Sequence, residues 1–221
     1  MISKESRSFD RSLIPPAPDL TFEEALWSGG LGAVAGLDEA GRGSWAGPVS
    51  AAAVILPQNA DALSRLVGVR DSKEMTPALR MEKAADIRTV SAGWGVGMAS
   101  AAEIDQHGIL PATRLAMQRA LSQLALAPQH LLVDFIRLPA VDLPQTPLIK
   151  GDARSLSIAC ASVLAKVARD AWMVCLDAEL PGYGFASHKG YGTAAHRLSL
   201  ARLGPSAEHR RSFAPVAASE R

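Results

Sequence analysis

Residues 34–43 read VAGLDEAGRG, in which a short apolar strand runs into two adjacent carboxylates and then into a glycine-rich turn. We predict that the strand covers Ala33 to Leu37, and carboxylates at a strand end are a common way to hold Mg²⁺, which prefers oxygen ligands. Neighbouring side chains of a regular strand face opposite ways, so Asp38 and Glu39 can share a metal only where the strand twists or breaks. An exposed acidic turn is the alternative, and it is favoured when this stretch is considered alone.

Strand and helix signals alternate along the rest of the chain. Further strands are predicted at Val49–Leu56, around Trp94–Met98, at His130–Asp134 and at Pro147–Lys150. Helices are predicted at Thr76–Thr89, Ser100–Gly108, Pro111–Leu126, Ser155–Leu180 and Thr193–Leu203. This order predicts an α/β domain whose mixed sheet begins antiparallel and continues parallel, flanked by helices, with a helical C-terminal part.

Composition limits the classes of protein that need to be considered. The chain has 221 residues, 48% of them hydrophobic, which is enough for one domain with a sizeable core. Its net charge of +1 gives no sign of a nucleic-acid partner, yet between Ser187 and Phe213 five basic residues accompany a single acid. That segment is a candidate for phosphate contacts, and a solvated helix face is the alternative.

The cysteines and the N-terminus indicate a cellular compartment. Cys160 and Cys175 fall on one predicted helix about 22 Å apart, which is too far for a disulfide and is typical of thiols in a reducing cytosol. The opening MISKESRSFD lacks the apolar core of a signal peptide, and no apolar run is long enough to span a bilayer. We therefore expect a soluble, cytoplasmic protein without a membrane partner.

Further carboxylates follow predicted strands. Asp134 closes LLVD (131–134), and Asp152 lies between a short strand and the longest helix. Because parallel sheets present functional groups at the carboxyl ends of their strands, both are candidate metal ligands, although each could simply cap a turn or helix. Lys166 and Asp170 are four residues apart on that helix and could pair with each other, so Asp170 has a structural alternative.

Taken together, these stretches resemble bacterial ribonuclease HII, a type 2 ribonuclease H family. The matching stretches occur in the family's order and cover nearly everything from Leu31 to Val216. They are VAGLDEAGRG at 34–43, RDSKEM at 70–75, EIDQHGILPAT at 103–113, LLVD at 131–134, KGDARSLSIACASVLAKVARD at 150–170, YGFASHKGYGT at 183–193 and HRRSF at 209–213. Each stretch is weak by itself, whereas the complete set is highly specific.

The resemblance implies a ribonuclease H-like fold and a metal-dependent endonuclease acting on RNA–DNA hybrids and on ribonucleotides embedded in DNA, leaving 5′-phosphate and 3′-hydroxyl ends. It implies a pair of Mg²⁺ or Mn²⁺ ions, with catalytic and metal-binding roles for Asp38, Glu39, Asp134 and Asp152. Asp170 and Lys166 would support them. Phe135 departs from the family pattern, which more often has glycine there, and its bulk could shift Asp134 or narrow the groove.

Recognition of RNA requires detection of a 2′-hydroxyl group, and the main chain of a glycine turn can approach a sugar closely. Gly41, Arg42 and Gly43 are suited to that contact. In the family, the tyrosine that matches Tyr191 packs against the deoxyribose after a ribonucleotide. The candidates for phosphate contacts are Lys73, Lys189, Arg210 and Arg211.

We divide the chain into a flexible N-terminal tail (1–20), a catalytic domain that includes a C-terminal substrate-binding part (21–216) and a short tail (217–221). No protein-docking motif is obvious, and we expect a monomer. Two alternatives of other classes remain open. One is a phosphotransferase or a DNA-junction nuclease on the same fold, and the other is a catalytically inactive nucleic-acid-binding module, for which a more basic chain would be expected.

Overall fold

A five-stranded mixed sheet forms the centre of the computed structural model, which describes residues 9–220. The strands are β1 (Val34–Ala40), β2 (Val49–Ile55), β3 (Gly93–Ala99), β4 (His130–Asp134) and β5 (Gln145–Leu148), in the spatial order β3-β2-β1-β4-β5. β2 pairs antiparallel with both β1 and β3, whereas β1–β4 and β4–β5 are parallel. The predicted α/β class, with an antiparallel start and a parallel continuation, is confirmed.

Helices cover both faces of the sheet and form the C-terminal part. They are α1 (Thr21–Ser28), α2 (Ala60–Ser64), α3 (Pro77–Val90), α4 (Ala101–His107), α5 (Ile109–Ser122), α6 (Leu156–Glu179), α7 (Phe185–His188), α8 (Ala194–Leu203) and α9 (Ala214–Ala217). The sequence does not predict α2, α7 or α9, because helices of four or five residues carry too little periodicity to be recognised.

Small residues in the strands let α5 and α6 lie close to the sheet. A Cβ atom on Gly36 of β1 would lie 2.3 Å from the backbone of Ser157 in α6. A Cβ atom on Gly97 of β3 would lie 2.2 Å from the carbonyl oxygen of Ala116 in α5. No side chain fits at such distances, so these glycines set how closely the two helices approach the sheet.

β1 is longer than predicted. Its pairing with β2 continues through both carboxylates to Ala40, which is opposite Ser50. Acidic residues have low strand propensity, so the sequence pattern ends the strand at Leu37, whereas pairing with the fully buried β2 extends it. The strand therefore does not break at Asp38 and Glu39. The sequence suggests that these two carboxylates share a metal only where the strand twists or breaks, and no break is present.

The described ends of the chain contact the domain. Residues 1–8 of the predicted N-terminal tail, and Arg221, lie outside the described residues. Residues 9–20 include a 3₁₀ turn at Arg11–Leu13, and Asp19 forms a parallel bridge with Ser155, its carbonyl accepting the Leu156 N–H at 2.8 Å. At the other end, another 3₁₀ turn (Ala218–Glu220) follows α9.

The remaining expectations from composition concern thiols and membranes. Cys160 is buried and Cys175 is exposed, and both are free thiols. Within the part of the chain that is described, no helix combines the length and the apolar character that a membrane span requires.

Candidate active site

Acidic residues gather at the carboxyl edge of the parallel half of the sheet. β1 and β4 run parallel with Leu37 opposite Val133, so the residues that follow, Asp38 and Asp134, reach the same edge. Glu39 is next along β1. Asp152 lies in the 3₁₀ turn Gly151–Ala153, between β5 and α6. Residues distant in the sequence are therefore brought together because parallel strands end at one edge.

Three of these acids, Asp38, Glu39 and Asp134, border a cavity of about 490 Å³. Its lining includes Asp38, Glu39, Asp134, Lys73, Tyr191 and the turn 41–43. Asp152 is buried, with 6% of its surface exposed, and stands behind the lining, close enough to act electrostatically on Asp38. The structure thus places most of the predicted catalytic and sugar-contacting residues around one space.

Burial and mutual repulsion dominate the electrostatics of this edge. Burial raises the pKa of Asp38 well above its usual range, and the carboxylates of Glu39, Asp134 and Asp152 raise it further. Burial is also the largest cause of the raised pKa of Asp152, which reaches about 6 with help from Asp134 and Asp71. A cluster of buried carboxylates that repel one another and have raised pKa values is a common sign of a functional site.

Backbone and side-chain donors hold individual carboxylates in place. The N–H of Gly151 donates to Asp134 Oδ1 at 2.7 Å, which opposes the effect of burial on the pKa of Asp134, raised overall. Arg42 donates to Glu39 Oε1 at 3.2 Å and likewise opposes the effect of burial on the raised pKa of Glu39. The N–H of Glu39 donates to Asp38 Oδ1 at 2.7 Å.

Lys73 supplies a positive charge beside the acids. Its ammonium lies 3.5 Å from Asp71 Oδ1 and 3.8 Å from Asp152 Oδ2. Burial would lower the pKa of Lys73, but the carboxylates of Asp71, Asp152 and Asp38 raise it overall. The loop that carries Lys73 is attached to α6 by a 3.0 Å contact between the Ser72 and Ser162 hydroxyls.

The donor set suits a hard divalent cation, although the side chains do not converge on one point. Four carboxylates are the oxygen ligands that Mg²⁺ and Mn²⁺ accept, and Glu39 Oε2 is buried without a hydrogen-bond partner. Among the described residues, no three Asp, Glu, His or Cys side chains lie close enough together to hold a metal ion. Repulsion between the carboxylates accounts for this spread, because each one turns toward a donor or Lys73 instead.

The turn at residues 41–43 is shaped by buried arginines. Gly41 has φ +91°, and a Cβ atom there would lie 1.9 Å from Arg169 Nε, so only glycine fits. The carbonyl of Arg42 accepts from Arg210 Nη1 at 2.8 Å. A Cβ atom on Gly43 would meet nothing within 4 Å, so the main chain is open on that side to an approaching ligand.

Tyr191 lies at the border of the same cavity with 37% of its surface exposed. Its ring centroid is 5.6 Å from the Lys166 ammonium and 5.5 Å from the Arg169 guanidinium. The glycine after Tyr191 allows this loop to pack closely. A Cβ atom on Gly192 would lie 2.2 Å from the Trp45 ring, so the tyrosine loop is packed tightly against the loop after β1.

Two histidines hold the main chain of Tyr191. His209 Nδ1 accepts from the Ser206 N–H at 3.0 Å, so its proton is on Nε2, which donates to His196 Nε2 at 3.1 Å. His196 is then protonated on Nδ1, which donates to the Tyr191 carbonyl at 3.0 Å. Burial lowers the pKa of both rings, that of His209 to about 4, so this chain of hydrogen bonds is neutral at pH 7.

A sequence model of the family described as Ribonuclease HII matches residues 35–216. The chain belongs to the ribonuclease HII family. It is 54% identical over 200 residues to the ribonuclease HII of Chloroflexus aurantiacus, covering 90% of this chain and 94% of that one. It is 55% identical over 192 residues to that of Moorella thermoacetica, covering 87% of this chain and 91% of the relative.

A solved structure agrees with this membership. The ribonuclease H2 from Pyrococcus horikoshii superposes with a TM-score of 0.68 at 25% identity, covering 85% of this chain and 97% of that one. The predicted resemblance to ribonuclease HII and the predicted ribonuclease H-like fold are therefore confirmed.

For this member of the ribonuclease HII family, the burial of Arg210 contradicts a predicted phosphate contact. Arg210 is 0% exposed and donates to the carbonyl oxygens of Gly47 at 3.0 Å and Arg42 at 2.8 Å. The side chain supports the turn at 41–43 from behind and cannot reach a ligand in this position. A basic pair at 210–211 looks solvated in the sequence, whereas tertiary packing buries its first member.

The other basic candidates lie nearer to solvent. The side chain of Lys73 is 77% exposed, and Arg211 is also exposed, its backbone N–H donating to Asp105 Oδ2 at 2.9 Å. Lys189 is half-buried and donates to the carbonyl of Ala186. Their phosphate contacts stay predictions.

The predicted pair of Lys166 and Asp170 is present in the structure of this chain. Lys166 Nζ lies 2.6 Å from Asp170 Oδ1, and Arg80 Nη1 lies 3.2 Å from Asp170 Oδ2. Asp170 is therefore engaged by two cations, and it does not line the cavity that holds the other acids. The supporting role of Asp170 stays a prediction.

Phe135, where the resemblance implies that glycine is more usual, adopts a backbone conformation that glycine takes without strain. Its φ is +59°, a region that disfavours side chains with a Cβ atom, and the ring is 63% exposed. The N–H of Gly151 still holds Asp134. The Phe135 ring is not part of the cavity lining, so it does not narrow the cavity, and its effect on the wider groove stays a prediction.

Arg169 is a functional residue that sequence reasoning misses. It is fully buried in α6 and donates to the carbonyl oxygens of Pro48, Ala46 and Lys189 at 2.8–3.0 Å. It thereby joins the loop after β1 to the loop that carries Tyr191. An arginine among the small apolar residues of α6 was the available signal, because a buried arginine requires several acceptors.

Proposed function

We propose that this chain hydrolyses the RNA strand of RNA–DNA hybrids and also cuts DNA at embedded ribonucleotides, leaving 5′-phosphate and 3′-hydroxyl ends. The observation that carries the proposal is the placement of Asp38, Glu39 and Asp134 around one cavity, with Asp152 buried nearby, beside a glycine turn with an open main chain. Membership of the ribonuclease HII family supports the same substrate class.

In this proposal Asp38, Glu39, Asp134 and Asp152 hold two Mg²⁺ or Mn²⁺ ions. When bound, such ions stabilise charge on the attacking and leaving oxygens of an in-line phosphodiester displacement. The protein contributes orientation, since Gly151 directs Asp134 and Arg42 directs Glu39. Burial of Asp38 keeps water away from the acids and strengthens their attraction for cations.

Lys73 has two states in this mechanism. Without a cation its ammonium compensates the negative charge of Asp152 and Asp71. With cations bound, that charge would be neutralised, and the long, 77% exposed side chain of Lys73 would become available to a substrate phosphate.

Selection of the substrate falls to two features on the rim of the cavity. The main chain at residues 41–43 contacts the 2′-hydroxyl that separates RNA from DNA, and Gly43 leaves room for a sugar. The exposed face of Tyr191 packs against the sugar on the 3′ side and so detects a change from RNA to DNA.

The decisive experiment compares three labelled duplexes, each with Mg²⁺, with Mn²⁺ and with chelator. One duplex carries a single ribonucleotide in DNA, the second is a uniform RNA–DNA hybrid, and the third is an all-DNA junction. We expect metal-dependent cleavage of the first two and none of the third. Equal cleavage of the all-DNA junction would favour a junction nuclease on this fold, and binding without cleavage would favour an inactive binding module.

A further inference from the structure

Two residues at the strand ends near Asp134 have a strained backbone. Among the described residues, three non-glycine residues have positive φ, and two of them follow neighbouring parallel strands: Phe135 (+59°) after β4 and Lys150 (+56°) after β5. The N–H of Phe135 donates to the Leu148 carbonyl at 2.9 Å, which ties the two strand ends together. Such backbone strain persists only where surrounding contacts enforce it, and it concentrates at functional sites.

The strain at Phe135 is not compensated by burial of its ring. The Ile136 N–H donates to the Asp134 carbonyl at 2.7 Å, which closes a tight three-residue turn with Phe135 at its centre. Glycine would adopt this φ without a steric penalty, yet the chain has phenylalanine with 63% of its surface exposed. Neither backbone preference nor core packing explains the choice of this residue.

Two exposed residues follow β5, whose end is hydrogen-bonded to Phe135 through the Leu148 carbonyl. Ile149 is 47% exposed, and Lys150 is exposed beside it. We call Phe135, Ile149 and Lys150 the β4–β5 rim. The Gly151 N–H donates to Asp134 Oδ1 at 2.7 Å, so the backbone of the turn that carries Lys150 is tied to one carboxylate of the acidic site. An aromatic face with a neighbouring ammonium suits a sugar or base followed by a phosphate.

We propose that the β4–β5 rim is a substrate-contacting surface of this chain, with the Phe135 ring against a sugar or base of the bound strand and Lys150 on a phosphate. The proposal rests on the proposed function, because the strand that occupies the rim is the one that reaches the acids. Apolar and ionic contacts respond differently to salt, and this difference separates the two residues experimentally.

The first test replaces Phe135. Phe135→Gly removes the ring and relaxes the backbone, Phe135→Tyr keeps the ring, and Trp94→Ala removes an exposed ring from β3 as the matched control. Affinity for a uniform RNA–DNA hybrid is measured by fluorescence anisotropy with Ca²⁺, a hard cation chosen to slow cleavage, and KM is measured with Mg²⁺. We expect Phe135→Gly to raise Kd and KM by about fivefold to about a hundredfold while raising Tm, and the other two variants to match the wild type.

The second test measures the salt dependence of the same affinity. Lys150→Gly keeps the left-handed backbone and removes the charge. The magnitude of the slope of log K against log[salt] should therefore fall by about one, as expected for the loss of one phosphate contact. Phe135→Gly should leave that slope unchanged. A raised Tm with unchanged or tighter hybrid binding in Phe135→Gly would overturn the inference and leave the proposed function intact. Failure of the wild type to bind or cut hybrids would overturn both.

Discussion

At the scale of single residues, the carboxylates proposed as metal ligands oppose the stability of the fold that carries them. Asp38 is buried among three other acids, and its raised pKa means that ionisation at neutral pH costs folding free energy. A carboxyl group whose folded-state pKa is raised destabilises the protein above that pKa, and protonation removes the penalty as pH falls. Removing the charge should therefore separate stability from activity.

We expect Asp38→Asn to remove most activity and to raise the Tm of the metal-free protein at pH 7. The gain should be at least about 2 °C, which corresponds to about 1 kcal/mol in a domain of this size. Thermal unfolding in chelator measures it, and repeating the scan with Mg²⁺ should stabilise the wild type more than the variant. Asp170→Asn is the control and should lose less activity, because Asp170 is paired with Lys166 and Arg80. A lower Tm for Asp38→Asn would contradict the electrostatic interpretation.

Tyr191 provides a second prediction at this scale. Tyr191→Ala should reduce kcat/KM on a duplex with one ribonucleotide, because it loses roughly 1–3 kcal/mol of stacking free energy. Tyr191→Phe keeps the ring and should retain more activity. The comparison substrate is a uniform hybrid, and Tm should change little because the ring is 37% exposed. Equal losses on both substrates would show that Tyr191 supports the groove and does not detect the junction.

At the scale of elements, Arg169 connects α6 with two neighbouring loops, the loop after β1 and the loop that carries Tyr191. Arg169→Met should lower the free energy of unfolding by about 3 kcal/mol or more, because three buried carbonyl oxygens lose a charged donor. Arg169→Lys restores part of the hydrogen bonding and should be intermediate. Urea unfolding measures the stability, and activity on the single-ribonucleotide duplex should fall with it, since the Tyr191 loop loses its anchor. Wild-type stability in Arg169→Met would refute this role.

At the scale of the whole molecule, acid has two opposite effects. Lowering the pH relieves repulsion among Asp38, Glu39, Asp134 and Asp152, whose pKa values are raised. It also protonates the buried histidines, whose pKa values are lowered in the fold. The stability that the neutral histidines contribute is fully present above about pH 6.5 and is lost as pH falls toward 4.

The histidine contribution can be isolated with His209→Gln, whose amide can still donate to His196. Burial is the main cause of the lowered pKa of His209, followed by His196, Arg211 and His188. We expect the variant to lose less stability than the wild type between pH 6.5 and 4.5, because the carboxylate effect is common to both proteins and cancels in the difference. Parallel stability profiles over this range would contradict the assignment.

Much of the site could be predicted before its geometry was known. The glycine turn at 41–43 and the strand-end positions of Asp38 and Asp134 are local features, readable because strand termini and turns have strong residue preferences. The sequence predicts a phosphate contact for Arg210, because a basic pair is most often solvated. Packing against Gly47 and Arg42 buries the Arg210 side chain instead.

The sequence by itself determined the family and the α/β class, and it predicted which four acids are the proposed metal ligands. These properties depend on short-range patterns and on the order of specific motifs along the chain. Only the tertiary structure decided which long-range partners these residues meet. The parallel pairing of β1 with β4 brings Asp38 to Asp134, and the approach of α6 buries Arg169 against Ala46. Such contacts depend on how elements far apart in sequence pack together, and no local preference specifies them.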